Sequence, residues 1–172
     1  YVGQLIARKN VKLVFKALES ISTNNVRFVV VGDGPQESSL RDRANALENP
    51  VEFEGSVERD QLYRYYTEAD ALILPSQNDV WGLVVNETLA CGTPALVSEQ
   101  CGCTPDLIIE GFNGSVFDPD EPDYLTESLE ELVNGSRAFA SPEQIRKDAT
   151  QRFDLDTSVD GFIRACQDAV SQ

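Results

Sequence analysis

Residues 75–94 read PSQNDVWGLVVNETLACGTP, and the fold follows from how this stretch is punctuated. The apolar run ahead of it, ADALIL at 69–74, reads as a buried strand ending at Pro75. Gly82 then opens a helix over residues 83–90, Gly92 and Pro94 close it, and residues 94–97 form the next strand. Strand, loop, helix, strand is the unit of a parallel sheet, and in such sheets ligands gather outside the carboxyl ends of the strands. The first N–H groups of a helix have no partner within it and attract anions. The amides of Gly82, Leu83 and Val84 are therefore expected to face a diphosphate. Glu87, one turn into the helix, suits a ribose diol as an acceptor of two hydrogen bonds, and Asp79 in the loop suits sugar hydroxyls.

The same alternation extends to both sides. Residues 1–6 read as the first strand, and a helix follows from Asn10 or its neighbour to Ser20, with Val11, Val14, Phe15 and Leu18 on one face. The β-branched run at 26–31 has the composition of a strand covered on both faces, and Gly32-Asp33-Gly34-Pro35 breaks it ahead of a helix to about Leu47. A short strand at 51–53 ends by Gly55, and residues 59–67 read as a helix. Beyond the opening stretch the pattern predicts an irregular loop at 98–104, a glycine-bearing turn at 110–114 and a strand at 115–117. Three terminal helices follow, over 124–133, 142–151 and 157–170.

A chain of 172 residues, 41% of them apolar, buries one ordinary core. Its net charge of −15 argues against nucleic acid or an anionic membrane as a partner, because both are repelled at long range. A phosphate site on such a chain has to be local, built from a helix start and one or two cations. No apolar run approaches the roughly 20 residues of a membrane span. The cysteines, Cys91, Cys101, Cys103 and Cys166, lack zinc-site spacing, and no histidine accompanies them, so structural thiols are expected over metal ligands. Reduced thiols fit the cytoplasm, with the membrane surface as the alternative seat of a full-length protein.

The frame Pro75, Ser76, Gly82, Leu83, Glu87, Ala90, Gly92 and Pro94 resembles that of the retaining glycosyltransferases of family 4, in particular the C-terminal, nucleotide-binding half of their GT-B architecture. The likeness runs nearly end to end. That family's hallmark is two glutamates with seven residues between them. Here the second is Glu87 and the first is Asp79, which keeps the carboxylate and shortens its reach by one methylene, about 1.5 Å. In GQLIARKN, at 3–10, the family has an arginine directly after the glycine and a lysine five residues later, both against the diphosphate. This chain has Gln4 after Gly3, a donor without charge, and Lys9. Arg8 is the neighbouring cation, turned inward or solvated.

The resemblance also implies that Gly32 and Gly34 let backbone approach the donor, although joining strand to helix is an equal reading of that turn. Main-chain groups near Val57, after Gly55, would meet the nucleobase, and side chains keep no record of which base. Tyr63, Tyr65 and Tyr66 read as a stacking set or, more simply, as helix packing and surface. Gly102 fits the first of two adjacent glycines, Cys103 replaces the second, and Asp106 stands for a glutamate. A side chain is thus expected at the donor-sugar end of the cleft, unless the loop only orders the next helix.

What the resemblance implies as a whole is an α/β, Rossmann-like doubly wound parallel sheet with helices on both faces, one half of a GT-B fold. Residues 1–172 would form a single donor-binding domain, excised from a longer protein because YVGQLIARKN starts inside an element. The implied function is retaining sugar transfer from a nucleoside-diphosphate sugar to an acceptor. Lys9 and Asp79 are the catalytic candidates. Gly3, Gln4, Gly32, Gly34, Val57, Ser76, Gly82, Leu83, Val84 and Glu87 are the donor-binding ones. The departing diphosphate takes the acceptor's proton on the same face, so neither metal nor cofactor is called for. The acceptor domain is the partner in cis, and without it this piece is expected to bind nucleotide and transfer nothing. The competing reading, resting on Gln4, Asp79 and Cys103, is a non-catalytic transferase-like binding or scaffold module. An unrelated dinucleotide binder is disfavoured by the missing glycine fingerprint after the first strand.

Overall fold

Five short strands, hydrogen-bonded as a two-stranded and a three-stranded sheet, make up the β layer in the computed structural model, which describes residues 1–21 and 25–153. They are Phe28–Val31 (β1), Val51–Gly55 (β2), Leu72–Leu74 (β3), Ala95–Ser98 (β4) and Gly114–Phe117 (β5). The α-helices between and after them are Lys12–Ser20 (α1), Glu37–Ala44 (α2), Leu62–Glu68 (α3), Leu83–Cys91 (α4), Thr104–Leu107 (α5), Pro122–Val133 (α6) and Pro142–Phe153 (α7). Each of these strands pairs in parallel. Phe28 lies opposite Val51 in the β1–β2 ladder, while Leu72 lies opposite Ala95 and Ala95 opposite Gly114 in the β3–β4–β5 ladder.

Parallel strands are buried on both faces, and their period of two decides which residue meets which helix. Ile73, Leu96 and Phe117 join Phe15, Leu18, Leu40 and Leu125 in the core under α1, α2 and α6. Their alternates Leu72, Leu74, Ala95 and Val97 meet Val85, Leu89, Leu107 and Ile145 of α4, α5 and α7. Helices therefore cover both faces of an α/β, Rossmann-like sheet. All the βα loops consequently leave from one rim, the carboxyl one.

Several elements differ from the sequence expectation. Residues 1–6 do not form a strand; only an isolated bridge joins Val2 to Val31. Bonds of a parallel ladder are present, from Gly3 N–H to Val31 and from Leu5 N–H to Asp33, but Gly3 at φ 148° and Gly32 at φ 123° bend both sides out of register. An ideal Cβ on Gly32 would sit 2.0 Å from the Gly3 carbonyl oxygen, so only glycine lets these segments come together. The chain then makes a 3-10 turn, Ala7–Lys9, closed by Asn10 at φ 50°, which delays α1 to Lys12. A second 3-10 turn, Arg59–Gln61, precedes α3, and the loop expected at 98–104 is followed at once by the single turn of α5, with proline at its start. The expected helix 157–170 and Cys166 lie outside the described residues. Among the described residues no helix is long and apolar enough to cross a membrane.

Candidate functional site

The site is built where the loops after β1, β2, β3 and β4 meet. After β3 the chain leaves through Ser76 and loops to Gly82, whose φ of 95° turns it into α4. Glycine at this N-cap provides no side-chain cap, and the first bond into the helix runs from Val85 N–H to the Gly82 carbonyl. The amides of Leu83 and Val84 thus open toward solvent without an intrahelical acceptor. Val80 and Leu83 are exposed at this mouth, and the Trp81 indole N–H reaches over the first turn to Asn86 Oδ1 at 2.8 Å.

The turn that carries Lys9 is stitched to this loop. Gln77 N–H donates to the Arg8 carbonyl at 2.9 Å, and the Arg8 guanidinium donates to the Asn78 carbonyl at 3.1 Å. Arg8 is exposed and committed to that bond rather than turned into the site. Stitching brings Lys9 Nζ onto Asp79 Oδ2 as an ion pair across 70 residues of sequence. With side chains only 14% and 12% exposed, this pair is little screened by water. The two catalytic candidates are therefore in direct contact.

From the other side, the β4 loop closes on the same segment. Gly102 N–H donates to the Asp79 carbonyl at 2.8 Å and Cys103 N–H to the Trp81 carbonyl at 3.0 Å. A Cβ on Gly102 would lie 2.1 Å from the Val80 carbonyl oxygen, so this approach also needs glycine. Of the two readings of Cys103, burial favours the structural one: its side chain is wholly buried in the core with Leu74, Val85 and Leu107, with Sγ 3.2 Å from where a Gly82 Cβ would stand. Ser76 is likewise fully buried, its Oγ without a nitrogen or oxygen partner and lying against the Cys101 thiol. Burial pushes the Cys101 thiol up to about 11, with the nearby Asp79 charge adding to it, and the Cys103 thiol up to about 12. Both remain protonated at neutral pH and offer no thiolate to a metal or an electrophile.

Gly3, Gln4, Gly32 and Gly34 line the adjoining part of the rim. Gln4 is exposed, and its carbonyl accepts the Tyr1 hydroxyl at 2.8 Å. Gly34 approaches the Leu5 carbonyl as Gly32 approaches that of Gly3. The Gly32 amide donates to the Gly55 carbonyl at 2.7 Å, and Asp33 accepts from the Ser56 hydroxyl at 2.6 Å, so the β1 and β2 loops are tied together. Val57 follows, half-buried, and two residues on Arg59 extends its guanidinium to Glu87 at 3.5 Å.

Glu87 is held more firmly from below. Tyr66, buried on α3, donates its hydroxyl to Glu87 Oε2 at 2.7 Å. Burial, then this bond and the carboxylate's charge, raise the Tyr66 phenol far above its ordinary range, so it stays a donor. Neither Tyr66 nor Arg59 stood out as a partner of Glu87 from sequence. The contact spans 21 residues and crosses from one helix to another, a relation that periodicity does not encode. Tyr63 is exposed, and the Tyr65 hydroxyl donates to Glu54, so these two rings do not join Tyr66 in one set.

A cleft of about 850 Å³ lies elsewhere, lined by Tyr1, Val26, Ala69, Asp70, Pro94 and Phe139. Val26, Ala69, Asp70 and Pro94 come just before the starts of β1, β3 and β4, on the rim opposite the loops just described. Its one guanidinium among the described residues, Arg27, is outnumbered by four carboxylates, Glu52, Glu54, Glu68 and Asp70, so the cleft's charge disfavours an anion. Among the described residues no group of three or more side chains is arranged to hold a metal ion.

Comparison with known proteins is consistent along the whole chain. The family model described as Glycosyl transferases group 1 matches residues 1–152. The chain is 26% identical over 157 residues to the sulfoquinovosyl transferase SQD2 of Arabidopsis thaliana, which covers 90% of this chain and 30% of that protein. Among solved structures it is similar to the apo form of the lipopolysaccharide outer core galactosyltransferase WaaB, with a TM-score of 0.87 at 21% identity, over 98% of this chain and 48% of that one. Anabaena Alr3699/HepE in complex with UDP-glucose gives a TM-score of 0.82 at 23% identity, over 97% and 47% of the two chains. The chain spans between 30% and 47% of the length of the first curated relatives it matches.

Proposed function

Because this chain belongs to the glycosyl transferases group 1 family, we propose that it is the donor-binding half of a retaining glycosyltransferase of family 4, taking a nucleoside-diphosphate sugar. The observation that carries this reading is the meeting of Lys9 with Asp79 beside the uncapped start of α4, on a chain of net charge −15. A local cation and open amides are what such a chain needs to hold a diphosphate. In the proposed arrangement the diphosphate lies against the Leu83 and Val84 amides and Lys9. The ribose rests on Glu87, the sugar hydroxyls on Asp79, and the base beside the loop of Val57.

The chemistry asked of this half is stabilisation of the leaving group. As the bond from the sugar to the diphosphate lengthens, negative charge grows on the phosphate, and each well-placed donor is worth about 3 kcal/mol there. The departing phosphate takes the acceptor's proton on the same face, so configuration is retained and no side chain of this half needs to act as a base. Lys9 and the helix start fill the place that a metal ion would otherwise hold. The acceptor domain belongs to another part of the protein, and the 172 residues alone are proposed to bind donor without transferring sugar.

Calorimetric titration with uridine, guanosine and adenosine diphosphates tests the reading. Uptake of one of them at micromolar to millimolar concentration is expected. A transferase-like scaffold without a donor site takes up none, and that result would overturn the proposal.

A further inference from the structure

Resting on the ribose reading of Glu87, we propose that Tyr66 is the positioning residue that lets this site tell a ribonucleotide from a deoxyribonucleotide. A free glutamate side chain on a half-exposed helix face samples several rotamers, and a carboxylate in motion is a poor match for a rigid diol. Here one oxygen is fixed. Tyr66 is only 4% exposed, its carbonyl accepts the Thr93 hydroxyl at 2.5 Å, and its phenol O–H donates to Glu87 Oε2 at 2.7 Å. A phenol held in the core by its ring and its backbone has little freedom of its own, so the carboxylate inherits that fixity.

The second oxygen is held differently. Glu87 Oε1 meets Arg59 at 3.5 Å, a long contact to a side chain that is 87% exposed, and such a pair adds almost nothing in water. Oε1 is the oxygen that a hydroxyl can claim, with Arg59 displaced at little cost. Tyr66 thus fixes which oxygen is presented and at what angle. A 2′-deoxyribose lacks one of the two hydroxyls and loses the bond made to that oxygen.

The test compares a ribonucleoside diphosphate with its 2′-deoxy counterpart, for the uridine, guanosine and adenosine pairs, by titration calorimetry on the whole chain. Wild type is expected to favour the ribo form by at least about tenfold. In Tyr66→Phe the preference should fall to about twofold, while binding of the deoxy form stays nearly unchanged. A merely structural role predicts the opposite pattern, with both forms weakened alike and the preference kept; that outcome overturns the proposal. Should Tyr66→Phe fail to fold, Glu87→Asp asks the same question, because the shorter carboxylate cannot reach the phenol and the diol together. Retention of the full preference in Glu87→Asp would also overturn it. A wild type that binds both forms equally overturns the ribose reading itself, whereas a wild type that discriminates beside an equally discriminating Tyr66→Phe overturns only the role of Tyr66.

Discussion

Lys9→Ala is expected to weaken nucleoside-diphosphate binding by about 3 kcal/mol, roughly a hundredfold. Two effects add. The variant loses a charge-assisted bond to phosphate, and it leaves Asp79 in place with a side chain only 12% exposed and no cation beside it. An uncompensated carboxylate next to the diphosphate repels it, on a chain whose overall field is already repulsive. Adding Asp79→Asn to Lys9→Ala should therefore restore about tenfold of the lost affinity, and the four-way comparison isolates the coupling between the two side chains. Calorimetry measures all four variants. Equal affinity of wild type and Lys9→Ala would remove Lys9 from the phosphate site.

Glu87→Ala should cost a similar amount, about 3 kcal/mol, for a different reason. It removes the acceptors proposed for the ribose diol and leaves the phosphate end intact. Its signature is therefore loss of preference for ribose over 2′-deoxyribose, which Lys9→Ala should keep. The variant also strands the Tyr66 hydroxyl, buried at 4% exposure, without its acceptor, and an unsatisfied buried donor costs about 1–3 kcal/mol of folding stability. Thermal unfolding of Glu87→Ala is expected at a lower temperature than that of wild type. If Glu87→Ala binds as wild type and still prefers ribose, the carboxylate faces something else.

Much of the fold could be read from residue order, because the features that fix it are local. Aliphatic runs of four or so residues between glycines and prolines marked β1, β3 and β4, and Gly82 and Gly92 bracketed α4 to within a residue. What escaped is non-local. Residues 1–6 have a strand's composition, yet they join β1 only through glycine torsions that a sequence does not display. Cys103 occupies a loop position whose residue type left a cleft role and a structural role equally open, and only its burial beside Leu74, Val85 and Leu107 separates them. For the candidate site, sequence placed Lys9, Asp79, Gly82 and Glu87 on one rim, and the structure has them there. It could not foresee that Lys9 and Asp79 touch, or that Tyr66 grips Glu87, since both contacts join elements distant along the chain.

The most direct test is a crystal structure of this chain with whichever of uridine, guanosine or adenosine diphosphate it binds. The account predicts phosphate oxygens within hydrogen-bonding distance of the Leu83 and Val84 amides and of Lys9 Nζ, with the ribose hydroxyls on Glu87. A nucleotide lodged at the opposite rim, in the cleft beside Asp70 and Pro94, with Lys9 still paired to Asp79 and the start of α4 bare, would contradict it.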